Sequence, residues 1–97
     1  MDKRRTYLLP KVVLNGRDIT QVVIDPHYEL KHKDINDALI LELVRKLDGL
    51  EVPCQEQRGE WQFFVLDRMI YRKKRYRLIL CMLEDDDFIG VINCFRR

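Results

Sequence analysis

Apolar and polar positions change their period three times along this chain, and each change marks an element. Tyr7 to Leu14 (YLLPKVVL) is rich in β-formers. Pro10, which lacks a hydrogen-bond donor, suits it to an edge strand or to the first residues of a strand. Asn15-Gly16 follows, a dipeptide that favours positive φ at a tight turn. Ile19 to Ile24 (ITQVVI) is a second β-prone run, so Tyr7 to Ile24 predicts a hairpin ended by Asp25-Pro26. Pro26 to Lys33 has no clear period and reads as a loop or a single turn.

From Asp34 to Gly49 the period becomes helical. Ile35, Leu39, Ile40, Leu43, Val44 and Leu47 recur at three- and four-residue spacing, while Asn36, Asp37, Glu42, Arg45 and Lys46 take the other side. Asp34 is placed to cap the helix, Asp37 lies near the positive end of its dipole, and Gly49 stands where a left-handed C-cap belongs. Such a helix packs one face on a sheet and turns the other to water.

After a connecting stretch from Leu50 to Glu60, with room for a short edge strand, three β-prone runs follow: Trp61 to Leu66, Tyr76 to Leu83 and Phe88 to Phe95. Met69 to Arg72 can extend the first. A basic turn, Arg72 to Arg75 (RKKR), and an acidic one, Glu84 to Asp87 (EDDD), separate them. Links this short require antiparallel neighbours, because a parallel crossover needs a dozen or more residues. Tyr76 to Leu83 (YRLILCML) is apolar on both faces apart from Arg77, as a strand covered on both sides would be. The predicted architecture is a single α+β domain over residues 1–97, with an N-terminal β-hairpin and one main helix packed on a mostly antiparallel β-meander.

Composition agrees with one small domain: 97 residues, 46% apolar and 35% charged, with only 4 Gly and 3 Pro. A chain of this length buries about 60 to 65% of the surface its unfolded form exposes, so most large apolar side chains are needed for the core. No uninterrupted apolar stretch approaches the roughly 20 residues that span a bilayer, so no membrane partner is expected. Lys11, Asn15 and Arg17 interrupt any secretory leader. Three cysteines, with Cys81 and Cys94 inside apolar runs, fit a reduced, cytoplasmic protein. Neither a C-x-x-C pair nor spaced acceptors of a Ca²⁺ loop is present, and no metal or other cofactor is expected.

Charge placement adds more than charge total. The 18 basic and 16 acidic residues leave +2, but the first 67 positions carry a net −2 and the last 30 a net +4. Arg68 to Arg77 (RMIYRKKRYR) holds six of the cations, Arg68, Arg72, Lys73, Lys74, Arg75 and Arg77, interleaved with Tyr71 and Tyr76. Arg and Lys neutralise phosphates and tyrosine rings stack on unpaired bases, so this segment, extended by Arg97, is a candidate RNA-binding surface. The same segment also reads as a solvated hairpin whose cations deter edge-to-edge aggregation.

Just before the helix, His27 and His32 flank a phenol and an ammonium group in HYELKH. Cleavage of RNA by its own 2′-hydroxyl requires a base, cations at the crowded phosphorus and an acid for the leaving 5′-oxygen. His27 and His32 are candidates for the acid and base, with Arg77 and Arg96 as candidate phosphate-holding groups. Each histidine equally suits a structural role, with its ring bonded to a backbone carbonyl. Cys54 has no third group to orient it as a nucleophile. Trp61, Phe63 and Phe64 serve either the core or a recognition patch.

The order of a capped helix, a short connection and a meander ending in YRLILCMLEDDDFIGVINCFRR resembles the RelE/ParE-type toxin superfamily of toxin-antitoxin systems, over about residues 27–97. Tyr76-Arg77 opening an apolar strand, the acidic turn and the basic end of the last strand occupy the places of that family's features. HYELKH is similar to BrnT-like toxins of the same broad fold. The resemblance implies messenger-RNA cleavage, often on the ribosome, with a cognate antitoxin as partner, and gives Arg77 a phosphate contact with Arg96 or Tyr71 near the scissile bond. An N-terminal hairpin and a single helix depart from that pattern. The alternative is a noncatalytic protein-binding accessory or regulatory domain that pairs through an edge strand or an aromatic patch.

Overall fold

The structure is a computed structural model and describes residues 3–97. Its first strand, β1 (Arg5–Leu14), turns back through Asn15 and Gly16 into β2 (Arg17–Ile24). Both turn residues have positive φ, 53° and 74°, the backbone twist that matches a right-twisted hairpin. A 3₁₀ helix (Pro26–Leu30) follows, with the Asp25 carboxylate accepting from the His27 N–H at its start. Then come the one α-helix among the described residues, α1 (Asp37–Arg45), the short β3 (Glu56–Arg58), and the long strands β4 (Trp61–Tyr71), β5 (Lys74–Leu83) and β6 (Phe88–Arg96).

All six strands form one curled half-barrel sheet in the order β1-β2-β6-β5-β4-β3. This corrects the expected architecture: the fold is 55% strand and 15% helix, and a sheet that closes around its contents takes the place of a helix laid on a meander. Two local competitions explain the difference. The helix starts late, because Asn36 rather than Asp34 accepts the Leu39 N–H (2.8 Å) while Ile35 is drawn into the core. It also stops early. Beyond Arg45 the edge of β1 captures the chain: Asp48 accepts the Val13 N–H (2.8 Å), Gly49 donates to the Val13 carbonyl (2.7 Å), and Asn15 donates to the Leu50 carbonyl (3.0 Å). Gly49 takes φ 84° at this departure, a conformation that suits glycine.

The second competition joins the two ends of the chain. β2 pairs with β6 in parallel, with Gln21 opposite Phe88 and Ile24 opposite Val91, so the N-terminal hairpin continues the meander as one sheet. Inside the curl, Ile19, Val22, Ile24, Phe64, Leu78, Leu80, Met82 and Ile89 meet Ile40, Leu43, Val44 and Leu47, all with at most 1% exposure. The helix is thus a plug within the sheet's concavity.

Position of that plug is set by Asp37, the first residue of α1. Its carboxylate accepts two bonds from Arg5 (2.6 and 2.9 Å) and one each from the Tyr7 and Tyr28 hydroxyls (both 2.6 Å). Arg5 also meets Glu29 at 3.1 Å. The cluster ties β1, the 3₁₀ helix and α1 together. Burial works to raise the Asp37 pKa, but the bonds from Arg5, Tyr28 and Tyr7 outweigh it and hold the carboxyl at about 2. Tyr28 is pushed well above the ordinary phenol value, by burial first and by Asp37 second.

Because the folded carboxyl titrates below its ordinary 3.8, its stabilisation is present above that pH and is lost as pH falls toward 2. Asp37→Asn is expected to lower stability at pH 7 by about 2 kcal/mol, and the gap between the two proteins should close between about pH 4 and 2. Urea unfolding followed by circular dichroism at pH 7, 4 and 2 measures both; a gap that does not narrow would remove Asp37 from this role.

Candidate nucleic-acid interface

The β4–β5 hairpin turns at Arg72 and Lys73, whose φ angles of 51° and 68° are left-handed. Side chains larger than glycine adopt this conformation at a cost of about 1 kcal/mol or more each. The geometry repeats the Asn15-Gly16 turn, with two cations at its tip. Arg68, Arg72, Lys73, Lys74 and Arg75 are all exposed.

Tyrosine positions follow strand alternation and break the expected interleaving. Tyr76 lies opposite Met69 and Arg96, is 5% exposed and belongs to the core, so it offers no ring to a base. Tyr71 is half-buried, with Arg72 at 5.3 Å and Lys46 of the segment after α1 at 5.7 Å from its ring centre. The segment is therefore a cationic ridge rather than a stacking platform.

On the outer face of the sheet, Arg77 lies opposite Phe95 in the β5–β6 register, its guanidinium 5.9 Å from the ring centre. Its Nε is buried without a hydrogen bond and lies 3.8 Å from the Asp67 carboxylate. Asp67 also meets Arg97 at 3.2 Å, and the Arg97 N–H donates to the Arg75 carbonyl (2.9 Å). His32 completes the group, stacked on Phe95 with ring centres 5.2 Å apart and planes at 24°. Four separate segments thus place an imidazole and two guanidinium groups around one aromatic ring and one carboxylate.

The other two candidates for catalysis stand elsewhere. His27 is exposed and lines a surface depression of about 650 Å³ with Lys3, Arg4, Asp25 and Glu29. Arg96 lies opposite Tyr76, and so on the other side of the sheet from Arg77; Arg97, beyond the strand, is the terminal cation that joins the group. Asp67 and Phe95 were not apparent as site residues. A charged Asp67-Arg68 pair inside a β-prone run is the signal available for the first, since it marks the register shift between Leu66 and Met69.

The remaining chemistry-bearing residues have structural settings. Burial pushes Cys94 up to about 12 and raises Cys81. In the acidic turn Asp87 accepts from the Thr20 hydroxyl (3.1 Å) and, through its carbonyl, from the Thr20 N–H (2.9 Å). Phe64 is in the core, while Trp61 is 37% exposed. No helix among the described residues is long and apolar enough to cross a membrane. No family model, curated protein or solved structure matches this chain.

The strained turn gives a separable test. Replacing Arg72-Lys73 by Asn-Gly is expected to stabilise the fold by about 1 to 2 kcal/mol in urea unfolding, because both residues then suit the turn. The same change should lower the salt dependence of oligouridylate affinity by roughly 1.4 in log–log slope, as two phosphate contacts disappear. An unchanged slope would take the turn out of the interface.

Proposed function

We propose that this protein binds single-stranded RNA along the β4–β5 hairpin and cleaves it without a metal ion, the toxin-type ribonuclease activity that the resemblance to RelE/ParE-type proteins implies. One observation carries the reading: Phe95 gathers the His32 imidazole, a side chain able to take and give a proton, beside Arg77 and its neighbour Arg97. The exposed cations Arg68 and Arg72 to Arg75 lead the phosphate backbone toward that group.

In this mechanism a phosphate replaces Asp67 as the partner of Arg77 and Arg97, whose charge stabilises the extra negative charge on phosphorus. His32 removes the proton from the 2′-hydroxyl. The oxygen attacks phosphorus, the bond to the 5′-oxygen breaks, and that oxygen takes a proton from solvent at the open surface. The products are a 2′,3′-cyclic phosphate and a free 5′-hydroxyl. His27, Arg96 and Tyr76 have no part in it. A ribosome and a cognate antitoxin protein, the partners implied by the resemblance, belong to the same reading.

Cleavage of RNA in EDTA is the direct test, on free and on ribosome-bound RNA. His32→Ala is expected to lower the rate about 100-fold or more with RNA affinity nearly kept. Arg77→Ala should weaken both, and His27→Ala neither. Failure of the unmodified protein to cleave either form of RNA would overturn the assignment.

A further inference from the structure

From Tyr76 to Leu83, β5 is apolar on both faces apart from Arg77, and the helix plug covers only the inner one. Inward, Leu78, Leu80 and Met82 are fully buried. Outward, the register sets Leu83 beside Trp61, Cys81 beside Phe63, and Ile79 beside Val65. Phe63, Val65, Ile79, Cys81 and Leu83 are each half-buried, the Arg58 guanidinium lies 5.3 Å from the Phe63 ring centre, and among the described strands no second sheet packs over that row. Trp61 stands edge-on to Phe88, ring centres 6.1 Å apart. With Cys81 and Gly90 they line a small dent that Val23, Arg4 and Asp25 close on its other side. A Cβ on Gly90 would stand 2.7 Å from the Cys81 Sγ, so glycine here lets the thiol lie flat along the face.

Charge along the same strands is graded. β4 leaves the end that holds Glu60, β5 returns to the acidic turn Glu84 to Asp87, and β6 starts from that turn. At their other end lie Arg72 to Arg75 and Arg96-Arg97. The outer face is therefore an apolar row with an acidic pole and a basic pole.

We propose that this face is the interface of a two-fold dimer in which two copies of the chain pack outer face to outer face with β5 antiparallel to β5. A two-fold axis repeats each contact, so the antiparallel arrangement sets the acidic turn of each copy against the basic hairpin of the other, twice. A parallel arrangement brings like poles together, and a uniformly charged partner or membrane surface opposes one pole whichever way it approaches. The graded charge thus selects a second copy over those occupants. The contact takes in β4, β5 and β6, whose outward apolar row gives way to Asn93, Arg77 and Asp67 toward the basic end. The dimer does not rest on the RNA reading, but it covers the outer face that holds Arg77 and Phe95 and engages Arg72 to Arg75, so the two uses of this face exclude each other and RNA is bound by the single chain.

Sedimentation equilibrium without RNA, at about 100 μM where even a micromolar dimer is well populated, should return twice the chain mass of 11.8 kDa. Ile79→Asp, with an unchanged far-ultraviolet spectrum, should return a single chain. Should that variant unfold, surface charges decide instead. Asp85→Lys with Asp86→Lys in one protein, and Arg72→Glu with Lys73→Glu in another, are each expected to be monomeric alone and to form a mixed dimer at least tenfold tighter than either with itself. A monomeric wild type, an Ile79→Asp dimer, or charge variants that stay apart on mixing would each overturn the proposal. Because RNA is absent throughout, such a result leaves the cleavage assignment standing, and loss of cleavage leaves the dimer standing.

Discussion

A single carboxylate decides how the two halves of this fold meet. Asp37 accepts four hydrogen bonds from three side chains, two of them on β1 and one on the 3₁₀ helix. An ionised carboxyl satisfied this fully tolerates partial burial at the mouth of an apolar concavity, where an unpaired one would not. With the first turn of α1 fixed there, Ile40, Leu43 and Val44 enter the curl at one depth and one rotation. The short helix is held in place by what happens at its first residue more than by its own length, since nine residues alone make a marginal helix in water.

The same placement governs the candidate site. The 3₁₀ helix is anchored through Tyr28 and Asp37, and its hydrogen bonds run on to His32, whose N–H donates to the Tyr28 carbonyl (2.9 Å). A histidine two residues beyond Leu30 therefore reaches the last strand with little freedom, and its ring lies on Phe95. The imidazole belongs to the N-terminal half and the guanidinium groups to the C-terminal half. Their meeting depends on the parallel β2–β6 pairing that makes the halves one sheet.

Local chemistry was readable along the chain, and its partners across space were not. Asn15-Gly16 announced its hairpin because turn preference acts within four residues. The apolar stripe from Ile35 to Leu47 named the buried face correctly, yet the helix limits moved inward, since the β1 edge that captures Asp48 and Gly49 lies more than 30 residues away in sequence. Strand phase separated what spacing seemed to join. Tyr76 and Arg77 are neighbours that point to opposite sides of β5, and Arg96 and Arg97 divide in the same way. Phe95 carries no polar chemistry that would single it out, and its part in the site comes wholly from what is packed against it. The fold class departs from its expectation for a related reason: a pairing between Gln21 and Phe88 leaves no local trace, so one curled six-stranded sheet reads along the chain as a hairpin, a helix and a meander.

That parallel pairing also sets an order in time. β1 and β2 can meet as soon as their two-residue turn forms, on the scale of about 1 to 10 μs for a hairpin. β2, however, finds its other neighbour in the last strand of the sheet, and the loop to be closed from Gln21 to Phe88 takes in most of the chain. Contacts of such long sequence separation slow folding, because loop entropy is lost before the pairing compensates for it. Until β6 arrives, the inner edge of β2 stays open beside Val22 and Ile24, two residues that the finished fold buries completely. The interval before closure is when this chain is most exposed to pairing with a strand that is not its own.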